Sequence, residues 1–197
     1  MNVAIALNKK FLLYTGVMLY SLCVNNKVSL RVFLLHSELE ESDFQCLRDI
    51  LKEFDIEIIS LQVDKICFNE RVRTNTKWTL EIYYRLLLLD LLPENIERIL
   101  YMDVDIIINK SLKEFYEMDF DGKDMIVTED GCGITNLTSY TGKRKEMIVP
   151  LLEQGHKYFC SGVLLLNTAE MRNAENKSNE IKNKQNTPNK KAKSTDK

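Results

Sequence analysis

Apolar residues along this chain fall into two recurring patterns. Short unbroken runs alternate with longer stretches in which apolar positions return every three or four residues. The runs predict strands and the periodic stretches predict helices. Val3–Leu7 reads as a strand at the very start. Tyr14–Asn25 reads as a helix with Val17, Tyr20 and Val24 on one face. Ser29–His36 is a buried strand, and Ser42 is placed to N-cap a helix bearing Phe44, Leu47, Leu51 and Phe54. Glu57–Leu61 is the next strand. Thr79–Leu92 predicts a long helix with Leu80, Tyr83, Tyr84, Leu87, Leu88 and Leu91 in register, closed by Pro93. Arg98–Met102, Asp124–Glu129 and Tyr158–Asn167 predict three further strands. This alternation implies an α/β fold with a mostly parallel sheet and helices on both faces. Ligands of such sheets sit beyond the carboxyl ends of the strands.

Composition narrows the class. Of the 197 residues, 45% are hydrophobic and 28% charged, which excludes a disordered, collagen-like or membrane-bundle chain. The longest apolar runs fall far short of the roughly 20 residues of a membrane helix, and Leu86–Leu89 and Ile106–Ile108 are of core-strand or core-helix length. The start, Met1–Leu7, lacks the basic segment and cleavage site of a secretory leader. Cys23, Cys46, Cys67, Cys132 and Cys160 form no CxxC or zinc spacing, so they read as reduced thiols of a cytoplasmic protein.

Charge is uneven. Residues 173–197 hold seven lysines against Glu175, Glu180 and Asp196, a balance of +4. The chain total is −2, which leaves −6 for residues 1–172. An acidic body argues against nucleic acid as a partner. The Lys/Asn-rich segment has three apolar residues and is expected to be a disordered tail. The expected organisation is one domain over 1–172, incomplete at its C-terminus, followed by the tail at 173–197. Without aromatic anchors the tail would make at most a peripheral electrostatic contact with a membrane. The expected location is the cytoplasm, up to the inner face of the membrane.

The sharpest chemical signal is Tyr101-Met102-Asp103-Val104-Asp105, at the end of an apolar strand. On extended backbone, residues i and i+2 point the same way. Asp103 and Asp105 would then converge on one hard cation, with Mg²⁺ or Mn²⁺ as the fitting ions for oxygen ligands and diphosphates. A solvated acidic turn is the bland alternative. Two reactions use such a pair: transfer of a sugar from a nucleotide sugar, and phosphate hydrolysis through an aspartyl-phosphate. Three strands precede the motif and Ile106-Ile107-Ile108 follow it, which weighs against the phosphatase.

Four segments together resemble the family 8 glycosyltransferases, the retaining group that includes glycogenin and bacterial lipopolysaccharide galactosyl- and glucosyltransferases. They are Asn2–Leu22, the helix Trp78–Leu86, the block Leu91–Asp105, and the strand Tyr158–Asn167. The resemblance covers roughly residues 1–172. It implies a GT-A, Rossmann-like fold that binds a UDP-sugar, with Mn²⁺ or Mg²⁺ held by Asp103 and Asp105. It places Val104 against the nucleotide, Arg85 at the diphosphate or sugar, and Ala6, Asn8 and Phe11 at uracil and ribose. It also places Ser161 and Gly162 at the donor and Asp130 near the sugar or acceptor. The implied activity is transfer of glucose or galactose to a glycan, lipopolysaccharide or protein acceptor.

Departures from the pattern give a second expectation. Asn8 and Phe11 stand where the family often has Asp and Tyr, and Cys160 stands where it usually has Asn. No residue is assigned to the family's later His-x-x-Gly-x-x-Lys motif, whose His is the third metal ligand. His36 is expected to end a strand, and His156 is a loop residue and a weak substitute ligand. The alternative function is therefore a catalytically impaired, truncated fragment that at most binds UDP-sugar.

Overall fold

The computed structural model describes residues 1–68, 79–129 and 142–176, without the side chains of 142–145. Six strands form one sheet: β1 (Asn2–Ala6), β2 (Leu30–His36), β3 (Ile56–Gln62), β4 (Arg98–Met102), β5 (Met125–Glu129) and β6 (Phe159–Asn167). Their spatial order is β3-β2-β1-β4-β6-β5. The first four of these run parallel. β6 is antiparallel to both β4 and β5, with a register shift between Val127 and Glu129. The expected mostly parallel α/β sheet is what forms, with one reversed strand inside it.

Strand alternation divides the core between the two faces. Val3 and Ile5 of β1, Val32 and Leu34 of β2, and Leu100 and Met102 of β4 pack on one face. There they meet α1 (Leu12–Asn25) and α2 (Glu41–Leu51) through Met18, Leu19, Leu22, Leu47 and Leu51. Ala4, Phe33, Leu35, Ile99 and Tyr101 pack on the other face against Tyr84 and Leu88. Burial on both faces explains why these strands read as continuous apolar runs.

Three local expectations are corrected. Val17, Tyr20 and Val24 of α1 are exposed, and the helix buries Thr15, Gly16, Met18, Leu19, Leu22 and Cys23 instead. This helix is apolar nearly all round, so periodicity does not choose a face; close packing does. A Cβ on Gly16 would stand 3.1 Å from Ile50 Cδ1 and 3.6 Å from Leu47 Cδ2 of α2. Glu40, not Ser42, caps α2, in a reciprocal capping box with Asp43, whose carboxylate accepts from the Glu40 N–H at 2.9 Å. The long helix expected over Thr79–Leu92 is a 3₁₀ helix at Leu80–Leu87 that passes into a short α3 at Leu88–Leu91. Its apolar stripe is as expected, because the pattern specifies the buried face and not the hydrogen-bond spacing.

Later elements are tied back to this frame. Between β4 and β5 lies the short α4 (Lys113–Tyr116), and α5 (Gly142–Glu153) precedes β6. Residues 168–176 are helical. From this helix Arg172 donates to the carbonyls of Leu92, Pro93, Glu94 and Ile96 at 2.9–3.2 Å. Residues 177–197 of the expected tail lie outside the described residues.

Candidate active site

Chain direction brings the ends of β1, β2 and β4 to one edge of the sheet. The 3₁₀ segment bearing Arg85 crosses the same edge. Between them lies a cleft of about 530 Å³. Ala6, Asn8, Phe11, Arg85, Asp103, Val104 and Asp105, all expected at the site, line it together. Ser161 and Gly162 line an adjoining recess of about 270 Å³ that shares Asp103 and Asp105 with the first. Cys160 lines the recess too. Asp130 lies outside the described residues.

β4 ends at Met102, and Val104 and Asp105 form a bend. The two carboxylates therefore share the clefts through a turn and not through the extended alternation expected of them. Asp103 is tightly held. Its Oδ1 accepts from Arg85 Nη2 at 2.8 Å and from the Tyr101 hydroxyl at 3.0 Å. Its backbone N–H donates to the Gly162 carbonyl at 2.9 Å. A Cβ on Gly162 would lie 2.9 Å from Asp103 Oδ2, so only glycine leaves this carboxylate its place.

Arg85 is fixed as firmly. Nη1 donates to the Ser161 carbonyl at 2.5 Å and Nε to the Ile82 carbonyl at 2.9 Å. The guanidinium lies 4.4 Å from the centre of the Tyr101 ring. Burial, then the charge of Asp103, pushes the Tyr101 phenol well above its ordinary range. Tyr101 thus stays protonated and serves as a donor.

At the other end of the cleft, Asn8 is buried. Its Oδ1 accepts from the Lys10 N–H at 3.1 Å and caps the 3₁₀ turn Lys9–Phe11. The turn presents Phe11, whose ring centre is 5.7 Å from that of the exposed Tyr14. Lys9 fastens the turn to α2 through Asp43 at 3.2 Å. The Glu40 N–H and the Lys9 ammonium hold the Asp43 carboxyl below its usual range, and Lys9 is raised in return.

Tyr101, Lys10, Tyr14, Thr79 and Glu81 also line the cleft, and sequence reasoning missed them. Tyr101 stands two residues before Asp103, and Glu81 stands four before Arg85. These offsets were the available signals. Among the described residues no group of three or more His, Cys, Asp or Glu side chains is placed to hold a metal ion.

One other polar pair resembles catalytic machinery and is not. His36 Nε2 lies 2.7 Å from Ser60 Oγ. The Leu39 N–H donates to His36 Nδ1 at 3.1 Å, so Nε2 carries the ring proton and donates a hydrogen bond to Ser60 Oγ. A base would need the opposite tautomer. The pair closes the turn after β2, the strand-ending role expected of His36.

A mostly parallel six-stranded sheet flanked by helices is the fold of GT-A glycosyltransferases, and solved structures share that fold. The galactosyltransferase LgtC in complex with donor and acceptor sugar analogues aligns at TM-score 0.65 and 18% identity, covering 95% of this chain and 66% of that one. The bifunctional glycosyltransferase WbbM aligns at TM-score 0.73 and 13% identity, covering 89% of this chain and 32% of that one. The glycosyl transferase family 8 model matches residues 2–197, and the chain belongs to that family.

Among relatives, the lipopolysaccharide 1,3-galactosyltransferase of Salmonella typhimurium is 27% identical over 169 residues, 84% of this chain and 48% of its own length. The lipopolysaccharide 1,2-glucosyltransferase of Escherichia coli is 25% identical over 170 residues, 86% of this chain and 48% of its own. The chain thus spans about half the length of these relatives. Family membership sets the aspartyl-phosphate phosphatase aside. No helix among the described residues is long and apolar enough to cross a membrane.

Proposed function

We propose that this chain is the donor-binding part of a retaining glycosyltransferase that moves a hexose from a UDP-sugar to a glycan. The observation that carries this reading is the meeting of Arg85, Asp103 and Asp105 at one end of a cleft whose other end holds Asn8 and Phe11. That length and polarity suit a nucleoside diphosphate. Phe11 and Tyr14 would stack on the base, and the Asn8 amide would meet its edge. Val104 would lie along the ribose and phosphates. The sugar would occupy the recess at Ser161 and Gly162. Asp130 is proposed near the sugar or acceptor.

The donor set fits a divalent cation. Asp103 and Asp105 offer hard oxygen ligands at a partly open edge, and Mg²⁺-type sites commonly pair one or two carboxylates with substrate phosphates. When bound, Mn²⁺ or Mg²⁺ would supply positive charge against the departing diphosphate. Arg85 adds a fixed guanidinium on the same side. The acceptor hydroxyl would attack the sugar carbon from the face that UDP leaves, which preserves configuration and demands no strong protein base. The named relatives favour glucose or galactose as the sugar and a lipopolysaccharide-type acceptor. The proposed location is the cytoplasm, up to the inner face of the membrane. Donor binding is the step that the described cleft residues bear on. A chain that binds UDP-sugar without transferring it is the second reading.

A thermal-shift titration with UDP, with and without Mn²⁺, tests the proposal. A ligand selective for the folded state stabilises by about 2.7 kcal/mol at a hundred times its dissociation constant. The expected result is a Mn²⁺-dependent rise in Tm that disappears in Asp103→Ala. A cooperative melt indifferent to UDP and Mn²⁺ would overturn it. Product assays with UDP-glucose and UDP-galactose then separate transfer from binding alone.

A further inference from the structure

The two carboxylates that end β4 are held by different means. Asp103 is clamped directly by Arg85 and Tyr101. Asp105 is exposed, and among the described residues no hydrogen bond or ion pair fixes its carboxylate. Its place is set by the backbone that carries it. Residues 103–112 form neither helix nor strand. Such a stretch has no hydrogen-bond ladder of its own, so its position depends on what its backbone groups meet elsewhere.

Those partners come from the end of α1. Ser21 Oγ accepts from the Ile108 N–H at 3.0 Å and donates to the Met18 carbonyl at 2.7 Å. The Asn25 amide donates to the Ile108 carbonyl at 2.9 Å and to the Ser21 carbonyl at 3.0 Å. Both backbone groups of Ile108 are thus taken by one helix. Four residues on, Asn26 Oδ1 accepts from the Leu112 N–H at 2.7 Å, while its Nδ2 donates to the Leu22 carbonyl at 2.9 Å. Ile108 is itself buried in the apolar layer that includes α1, and Val104 and Ile106 pack against that layer. Asp105 stands three residues before Ile108, a span of at most about 10 Å of backbone. A displacement at Ile108 therefore carries Asp105 with it.

We infer that Ser21 and Asn25 are positioning residues for Asp105. By bonding both backbone groups of Ile108 they fix the segment that presents this carboxylate to the cleft and the recess, and Asn26 holds the far end of that segment. Neither Ser21 nor Asn25 lines the cleft or the recess, so each acts through the segment alone. This role presupposes that Asp103 and Asp105 hold the divalent cation proposed above.

The experiment measures UDP affinity by calorimetry on the full chain, with and without Mn²⁺, in the native protein, Ser21→Ala, Ser21→Thr and Asn25→Ala. The ratio of the two affinities isolates what the metal adds. It should fall about tenfold in Ser21→Ala and in Asn25→Ala, the size of effect typical of groups that orient a metal's ligands. The affinity without metal should stay at its native value. Ser21→Thr keeps the hydroxyl and a rotamer that reaches the carbonyl three residues back, so it should keep the native ratio. A purely structural role would weaken UDP binding with and without metal alike and leave the ratio unmoved. The two alanine variants remove different bonds to Ile108, so if one loses its cooperative melt the other decides. An unchanged ratio in the alanine variants, or a ratio lost as fully in Ser21→Thr as in Ser21→Ala, overturns the positioning role alone. UDP binding indifferent to Mn²⁺ in the native chain overturns the cation reading of the acidic pair, and this role with it.

Discussion

Asp103 has little freedom. Arg85 and Tyr101 occupy one carboxylate oxygen, and the other lies where a Cβ on Gly162 would crowd it. The carboxylate is thereby oriented before any ligand arrives, and electrostatic sites work best when built in advance. Gly162→Ala should push Asp103 off this position, because the carboxylate is the atom group that must yield. The expected outcome is a UDP affinity in Mn²⁺ weakened about tenfold or more, with a cooperative melt retained. Unchanged affinity in that variant would mean that the carboxylate has room to spare. The Asp pair was legible in the sequence because it follows an apolar strand directly, whereas Arg85 was singled out only through the resemblance to the family. Tyr101 was not legible, since a buried tyrosine looks like core until its hydroxyl is seen to reach a charge.

Elements on this edge of the sheet are held by polar junctions that sequence patterns do not expose. The turn after β2 depends on His36, which is buried and accepts from the Leu39 N–H. Burial lowers its pKa below the ordinary 6.5, and the charge of Asp43 opposes this only in part. Below about pH 6.5 the unfolded chain takes up this proton more readily than the folded one, so folding stability falls as pH drops through that window. His36→Asn keeps an acceptor for Leu39 and has no proton to gain. Urea midpoints at pH 7.5 and 5.5 should therefore differ less in His36→Asn than in the native chain. Equal pH dependence in the two would assign the effect elsewhere. The wrong face chosen for α1 belongs to this scale as well. Its exposed Val17, Tyr20 and Val24 are as apolar as the buried residues, and only contact between Gly16 and α2 decides the matter.

For the whole molecule, one sheet separates two apolar layers, and every parallel strand contributes to both. Neither layer is closed without the sheet between them, so the described body should unfold as a unit. Leu47→Ala tests the layer under α1 and α2, and Leu88→Ala tests the opposite one. Each should cost about 2–5 kcal/mol and lower the same single transition. Two resolved transitions in either variant would show that the layers unfold separately. The cleft lies where both layers end, beyond the carboxyl ends of the strands, so its residues come from segments nearly a hundred positions apart.

The sequence by itself determined the order of the six strands and of the helices up to Leu92, the two-faced burial of the central strands, and the acidic pair that follows β4. These are local facts: period, run length and the residue that follows a strand. Only the tertiary structure decided which face of α1 is buried and which side chains clamp Asp103. Those depend on contacts between segments distant in the chain, and a one-dimensional pattern carries no record of which neighbours packing will supply.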